Sequence, residues 1–392
     1  MDTGGKIRTG KILEQLHKTN VVTLVCHVEK VQDEPYLGEA RQVCQEFIPI
    51  PWNEIPKFSL QFYWRCVTGL FSQYPITVLN DYDLELQMTI SRLLQKKSFD
   101  LLICDFLQPS LNVMDVKGIP TILFQHNVEA EIPFRHFLHA PWWLRWFWRN
   151  QWKKMEQFES QACNWFSGII TVSNHDRKLL GERCQNSQIF PVPTGVDLKY
   201  FSPSCEIKEE HELVFTGSLD WLPNEDAIIY FANEILPLIK KNFPSLVFTV
   251  VGRNPSPTLL ERTRTIPEIR IVGRVPDIRL YVHSHKVYII PLRIGGGTRI
   301  KAYEAMAMRK AVVSTTIGME GLPVTHQQNV LLADTPESFA QSIVELLENE
   351  SKRQKLGCAA REFVEQEGGW GKAGEAFQNI CQTVVTCQVL KD

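Results

Sequence analysis

The chain has 392 residues, 44% of them hydrophobic and 22% charged, ordinary values for a globular protein long enough to hold two or three domains. Lys and Arg number 42 against 44 Asp and Glu, a net charge of −2, which lacks the basic excess of a nucleic-acid binder, so no nucleic-acid partner is expected. Ten cysteines stand singly with no Cys-x-x-Cys pair, a pattern that argues against a disulfide framework or a zinc site, suits a reducing cytosol, and gives no reason to expect a metal or a cofactor.

The first element is "DTGGKIRTGKILEQL", where Gly4 and Gly5 precede Lys6 and Arg8 at the start of an amphipathic helix. A helix N-terminus carries partial positive charge and unpaired N–H groups, so cations are poorly placed there unless an anion sits above them. Taken alone, the segment reads better as a disordered basic tail, and it is the second glycine-then-cation helix start near 295–301 that favours an anion site. Apolar runs "VVTLVCHV" (21–28), "DLLICDF" (100–106), "PTILFQHN" (120–127) and "GIITVS" (168–173) follow as buried strands, with a helical stretch over 84–97. His126 falls at the carboxyl end of the third run, where ligands gather in open α/β sheets.

Between these strands lies "HAPWWLRWFWRNQWKKMEQFE" (139–159), with five of the ten tryptophans interleaved with Arg145, Arg149, Lys153 and Lys154. The aromatics occupy more than one helical stripe, which one-sided core packing does not explain. Trp with Lys and Arg on one helix fits a membrane interface, and the alternative is a helix wedged between layers with its cations snorkelling outward. No signal peptide and no apolar run of about 18 residues is present, so a cytoplasmic protein is expected, peripheral on the inner membrane face if 139–154 touches lipid.

"PTGVDLKYFSPSCEIKEEHE" (193–212) interrupts the alternation and reads as a linker near the midpoint. Beyond it, "ELVFTG" (212–217), "LVFTVVG" (246–252), "KVYIIPL" (286–292) and "AVVST" (311–315) read as strands, separated by helices over 224–241 and 337–349. Strand–helix alternation with continuous apolar strands predicts an α/β fold of two Rossmann-like parallel-sheet domains facing across a cleft. The expected boundaries are 1–200, 201–370 and a C-terminal helix over 371–392 that packs back on the first domain.

The most informative segment is "PLRIGGGTRIKAYEAMA" (291–307). Three glycines lead from a strand into a helix with Thr298 as the expected N-cap and with Arg299 and Lys301 in its first turn. The glycines let backbone approach a ligand, and dipole, amides and cations together favour one phosphate. The alternative is a Lys301–Glu304 pair at i,i+3 on a helix surface, worth a few tenths of a kcal/mol. No G-x-x-x-x-G-K-[ST] loop occurs, so this is not a Walker site.

"GGGTRIKAYEAMAMRKAVVSTTIGMEGLP" resembles the donor-site segment of retaining glycosyltransferases of family 4, which have the GT-B fold. Further matching pieces are "GGKIRT", "QHNVEAE", "ITVSNHD", "PTGVD", "FTGSLDWLPNEDAIIYF", "VVGRNPSP" and "IRIVGRVPDI", in the family's order. The resemblance implies a metal-independent glycosyltransferase of polysaccharide or glycolipid synthesis. It would take a UDP- or GDP-type sugar to a saccharide or lipid-linked acceptor. It implies that Glu304 binds the ribose hydroxyls and that Arg299 and Lys301 hold the diphosphate as its charge grows. Backbone at Gly4, Gly5, Gly217, Ser218, Gly296, Gly297 and Thr298 would approach the donor, Arg253 would supply further charge, and Gly273, Arg274 and Val275 would frame the base. His126 would stand beside the donor sugar as a catalytic residue. His283 and His285 are expected to be structural.

Two departures from the family pattern stand out. Its first glutamate would fall at Gly296, leaving the donor sugar to backbone contacts. Family members also begin with a strand ahead of the glycine pair, whereas this sequence opens at "MDTGG". Loss of that strand would expose paired edges and motivates an alternative, a truncated, non-catalytic nucleotide-sugar binder. An epimerase of nucleotide sugars is a weaker reading because its histidine and carboxylate pattern is not evident.

Overall fold

Short β-branched runs with no polar alternation fold into parallel strands whose two faces both need cover. A computed structural model describes residues 4–29, 33–53, 55–56, 59–186, 188–204, 206–294 and 299–389. The chain divides into two compact units, one of residues 1–193 with 373–392, the other of 194–372.

Among the described residues of the second unit, six parallel strands form one sheet. They are β7 (His211–Thr216), β8 (Phe248–Val251), β9 (Ile269–Gly273), β10 (His285–Ile290), β11 (Ala311–Ser314) and β12 (Leu331–Leu332), in the order β12-β11-β10-β7-β8-β9. The order reverses between β7 and β10, the topological switch point at which such sheets bind ligands. Alternate residues serve two cores: Leu213, Phe215, Val287 and Ile289 join one, Val214, Tyr288 and Ile290 the other. Both faces are thus filled. The stretch read as a linker instead packs into this unit, where Val196 bridges Gly369 and Arg361 donates to the carbonyls of Leu198 and Phe201.

The first unit is less regular. Strands β1 (Thr23–Val28) and β2 (Glu46–Pro51) form a parallel pair, and β3 (Leu102–Asp105), β4 (Thr121–Phe124), β5 (Gly168–Thr171) and β6 (Ile189–Pro191) form a separate parallel sheet. Strands β4 and β5 are buried throughout, whereas apolar β1 and β3 are mostly half-buried and Ile103 is exposed. A cavity of about 2890 Å³ is lined along β1 and β3, and neither strand pairs the other among the described residues. Strand β2 was not anticipated, because its "EFIPIP" carries two prolines that weigh against a strand.

The expected N-terminal helix is present at Gly4–Leu16, with the glycines inside its first turn. A helix over Leu60–Phe71 is capped by Ser59, whose hydroxyl accepts from the Phe62 N–H. The tryptophan stretch is one helix, Trp142–Trp165. The last helix, Trp370–Val389, contributes from Ala373 onward to the first unit, where Val384 meets Gly168.

Candidate functional site

At the switch point β7 ends in Thr216, and Gly217 turns the chain. A side chain at Gly217 would lie 2.7 Å from Lys301 Nζ and from Asn224 Nδ2, so only glycine lets these groups converge on the backbone. Lys301 Nζ donates to Asn224 Oδ1 at 2.7 Å, and Asn224 Nδ2 donates to the Ser218 carbonyl at 2.7 Å. Arg253 Nε donates to Ser218 Oγ at 2.9 Å. Lys301 Nζ also stands 4.2 Å from the Phe215 ring centre and the Arg299 guanidinium 5.7 Å from that of Trp221. Of the residues named from sequence, Gly217, Ser218, Arg253, Arg299 and Lys301 therefore lie around one strand-end turn, and Glu304 interacts electrostatically with Lys301.

The helix that carries Lys301 spans Ile300–Ala307 with Arg299 at its N-cap position. The expected N-cap Thr298, with Gly296 and Gly297, lies outside the described residues. Arg299 sits just ahead of the helix rather than in its first turn, a shift within the usual uncertainty of helix ends. Its side chain is buried. Burial and the neighbouring Arg299 charge push the Lys301 amine down to about 7, while Glu304 works to raise it. Burial pushes the Glu304 carboxyl up to about 7, opposed by Lys301. A cation, a carboxyl and a glycine turn held at low polarity have the chemistry to take an anion linked to hydroxyls.

Gly273 closes β9 with φ of 81°, a left-handed value that glycine adopts without strain. Its carbonyl accepts from the Gly252 N–H at 3.0 Å, which ties the β8 and β9 ends together. Arg274 is exposed and Val275 half-buried beyond it. Arg293, after β10, is committed to Asp226 at 2.7 Å. Lys310 is buried with its amine donating to Glu209 and to the carbonyls of His283 and His285, so these histidines belong to a structural knot.

In the first unit, His126 follows β4 and is 3% exposed. Its Nε2 lies 2.7 Å from Asp105 Oδ1, its Nδ1 2.9 Å from Arg8 Nη1, and its ring stacks on Phe106 at 4.0 Å. Arg8 donating to Nδ1 and Nε2–H donating to Asp105 fit a neutral ring. Burial holds its pKa below the ordinary value although Asp105 opposes this. Both ring nitrogens are engaged, which the strand-end reading did not foresee. Gly5 is forced by the same packing, since a side chain there would meet the Phe106 ring at 2.7 Å. Gly4 starts the helix, Lys6 is exposed, and Thr9 donates to Asp105 Oδ2 at 2.7 Å.

Sequence reasoning missed Asn224, which links Lys301 to Ser218, and Asp105, which orients His126. The signal for Asn224 was a polar residue in the first turn after "DWLP", and for Asp105 an acid ending an apolar strand. It also missed that Glu129, within "QHNVEAE", meets Glu159 of the Trp142–Trp165 helix. Glu159 Oε1 accepts the Glu129 N–H at 2.7 Å, and Gln108 donates to Glu129 Oε2 at 2.8 Å. Burial pushes Glu129 up to about 7 and Glu159 up to about 8.

Residues 13–200 match the model of Glycosyltransferase Family 4, and residues 210–349 that of Glycosyl transferases group 1. An uncharacterized 44.6 kDa protein in the cps region of Klebsiella pneumoniae is 24% identical over 161 residues, 39% of this chain and 42% of that protein. A GDP-mannose-dependent monoacylated alpha-(1-6)-phosphatidylinositol monomannoside mannosyltransferase of Corynebacterium glutamicum is 24% identical over 215 residues, 49% of this chain and 55% of that enzyme. The chain thus spans about half the length of these curated relatives. Among solved structures, HepE of Anabaena in complex with UDP superposes with a TM-score of 0.70 at 12% identity, covering 97% of this chain and 96% of HepE.

Proposed function

The chain is of the GT-B glycosyltransferase type, family 4 in its first part and group 1 in its second, and we propose that it moves a sugar from a nucleotide-diphosphate donor to an acceptor hydroxyl. The observation that carries this is Lys301, held against Gly217 and Asn224 at the β7–β10 switch point. Lys301 and Arg299 hold the donor diphosphate and neutralise the charge that grows on it as the sugar–phosphate bond breaks. Two cations in that position leave the step no need of a metal. Glu304 accepts from the ribose hydroxyls, the Gly217–Ser218 turn, its Gly217 N–H tied to the Val251 carbonyl, lies close against the phosphates, and the Gly273–Val275 turn frames the base. The family resemblance supports transfer with retention, in which the leaving phosphate takes the acceptor's proton.

His126 acts as a brace: its ring is fixed between Arg8 and Asp105, and the family resemblance supports a place for it beside the donor sugar. The acceptor is a saccharide or a lipid-linked sugar of polysaccharide or glycolipid synthesis, and the reaction is cytoplasmic. UDP and GDP are both tested as donor nucleotides, since the Anabaena protein was solved with UDP and the Corynebacterium enzyme is named for GDP-mannose. Thermal-shift titration of the whole chain with UDP and GDP should give stabilisation by one of them. Lys301→Met and Glu304→Ala should each remove it; a shift that survives in both variants discards this site. A second reading, a nucleotide-sugar binder without turnover, is favoured by the split sheet of the first unit. Transfer to any acceptor by the chain would refute it.

A further inference from the structure

Helix Leu60–Phe71 has an apolar face turned to solvent. Leu60 is 91% exposed, Trp64 68% and Phe71 87%, with Val67 half exposed between them. These positions are spaced four, three and four apart, so they form one stripe along the helix. The opposite face packs inward at Gly69, where a side chain would meet Ile76 Cγ1 at 2.4 Å. A stripe of this kind in water costs free energy unless something covers it.

A second exposed aromatic group opens the tryptophan helix, where Trp142 is 83% and Trp146 60% exposed. The two helices are joined. Lys154 Nζ donates to the carbonyls of Gly69 and Leu70, both at 2.8 Å, closing the C-terminus of the Leu60–Phe71 helix. Tyr63 and Trp143 line one common cavity.

Charge identifies what covers this surface. From 55 to 80 the sequence has no Asp or Glu, and from 132 to 155 it has none either. The two segments carry Lys57, Arg65, Arg135, Arg145, Arg149, Lys153 and Lys154 in a chain whose net charge is −2. Arg145 and Arg149 are exposed beside the tryptophans, and Lys153 pairs with Glu156 just past the segment. Exposed Trp and Leu interleaved with cations and free of acids match the boundary of an anionic bilayer, where rings enter the headgroup layer and cations meet lipid phosphates. No helix among the described residues is long and apolar enough to cross a membrane.

We propose that the Leu60–Phe71 helix and the start of the Trp142–Trp165 helix together form a docking surface for anionic lipid bilayers. The contact stands on its own residues; it rests on the transferase reading only for its purpose, delivery of a lipid-linked acceptor. Co-sedimentation of the whole chain with vesicles of neutral lipid, and with vesicles containing about 30% anionic lipid, tests it. Partition into the anionic vesicles should be roughly tenfold or more above the neutral ones and should fall as salt is raised. W64S/F71S and W142S/W146S alter only exposed side chains, and each should lower partition about tenfold. The nucleotide-induced thermal shift is measured on the same variants; its persistence shows that the fold and the donor site are intact. Absence of partition, equal partition into neutral vesicles, or partition unchanged in both double variants would overturn the proposal. So would light scattering that shows the stripe buried in a dimer, with vesicle binding lost.

Discussion

Lys301 and Glu304 should give nucleotide binding a bell-shaped pH dependence. The fold holds the Lys301 amine at about 7, whereas a diphosphate favours its charged form. Binding above pH 7 therefore takes up a proton, and affinity falls as pH rises, by up to about tenfold per unit. Glu304, raised to about 7 by burial, must be ionised to accept from two hydroxyls. Binding below pH 7 therefore releases a proton, and affinity falls on the acid side as well. Calorimetric titration with the preferred nucleotide should show the optimum near pH 7; a flat profile from 6 to 9 would refute the assignment of these two groups. Lys301→Arg should bind while losing the alkaline slope, because guanidinium stays charged. His126 makes a different kind of prediction. His126→Ala leaves Arg8 and Asp105 without the ring between them and opens a void beside Phe106. The loss should be about 2–4 kcal/mol in urea unfolding; a loss below about 1 kcal/mol would mean the ring does not brace this corner.

The elements differ in how far they could be read in advance. Strands β7, β8, β10 and β11 announce themselves because each is a continuous apolar run buried on both faces, and Gly217 and Lys301 follow from them by position. The first unit was legible only in part. Prolines disguised β2, and nothing in one dimension says that Asp105 meets His126 across neighbouring strands or that Glu159 reaches back to the Glu129 N–H. The turn between β4 and the Glu131–His139 helix is held by those two carboxyls, and this has a measurable consequence. Their pKa values in the fold, about 7 and about 8, lie above those of free carboxylates. The folded chain therefore binds more protons than the unfolded one between about pH 4.5 and 8. Stability that is full below the unfolded pKa is lost as pH rises through that window. Urea unfolding at pH 5.5 and 8 should show it, and Glu159→Gln, uncharged throughout, should reduce the difference. Equal stability at both values in the wild-type chain would mean the pair is ionised and solvated.

At the scale of the molecule, the two units are built on unequal sheets. The second has six strands in one sheet with a core on each face. The first has its strands in two groups, and its principal core gathers Cys104, Leu123, Ile169 and Ile189 from one face of the four-stranded sheet. Parallel pairing is stable in proteins chiefly where helices cover it and neighbouring strands satisfy its edges. Among the described residues strands β1 and β3 lack that support along the cavity they line, so their amides open without breaking a central ladder. Hydrogen exchange of the whole chain should therefore be faster in 24–28 and 102–105 than in 122–124 and 169–171, which are buried on both faces. In the second unit, 213–216 and 287–290 should exchange slowest, since their opening requires disruption of both cores. The contrast should reach at least about tenfold in rate, the equivalent of about 1.4 kcal/mol in local opening. Protection of β1 equal to that of β4 would show that the edges facing the cavity are satisfied in solution. A donor nucleotide should then slow exchange in 213–216, where Gly217 and Lys301 converge, and leave β1 unchanged. Slowing confined to β1 would place the nucleotide in the first unit and remove the switch-point site from consideration.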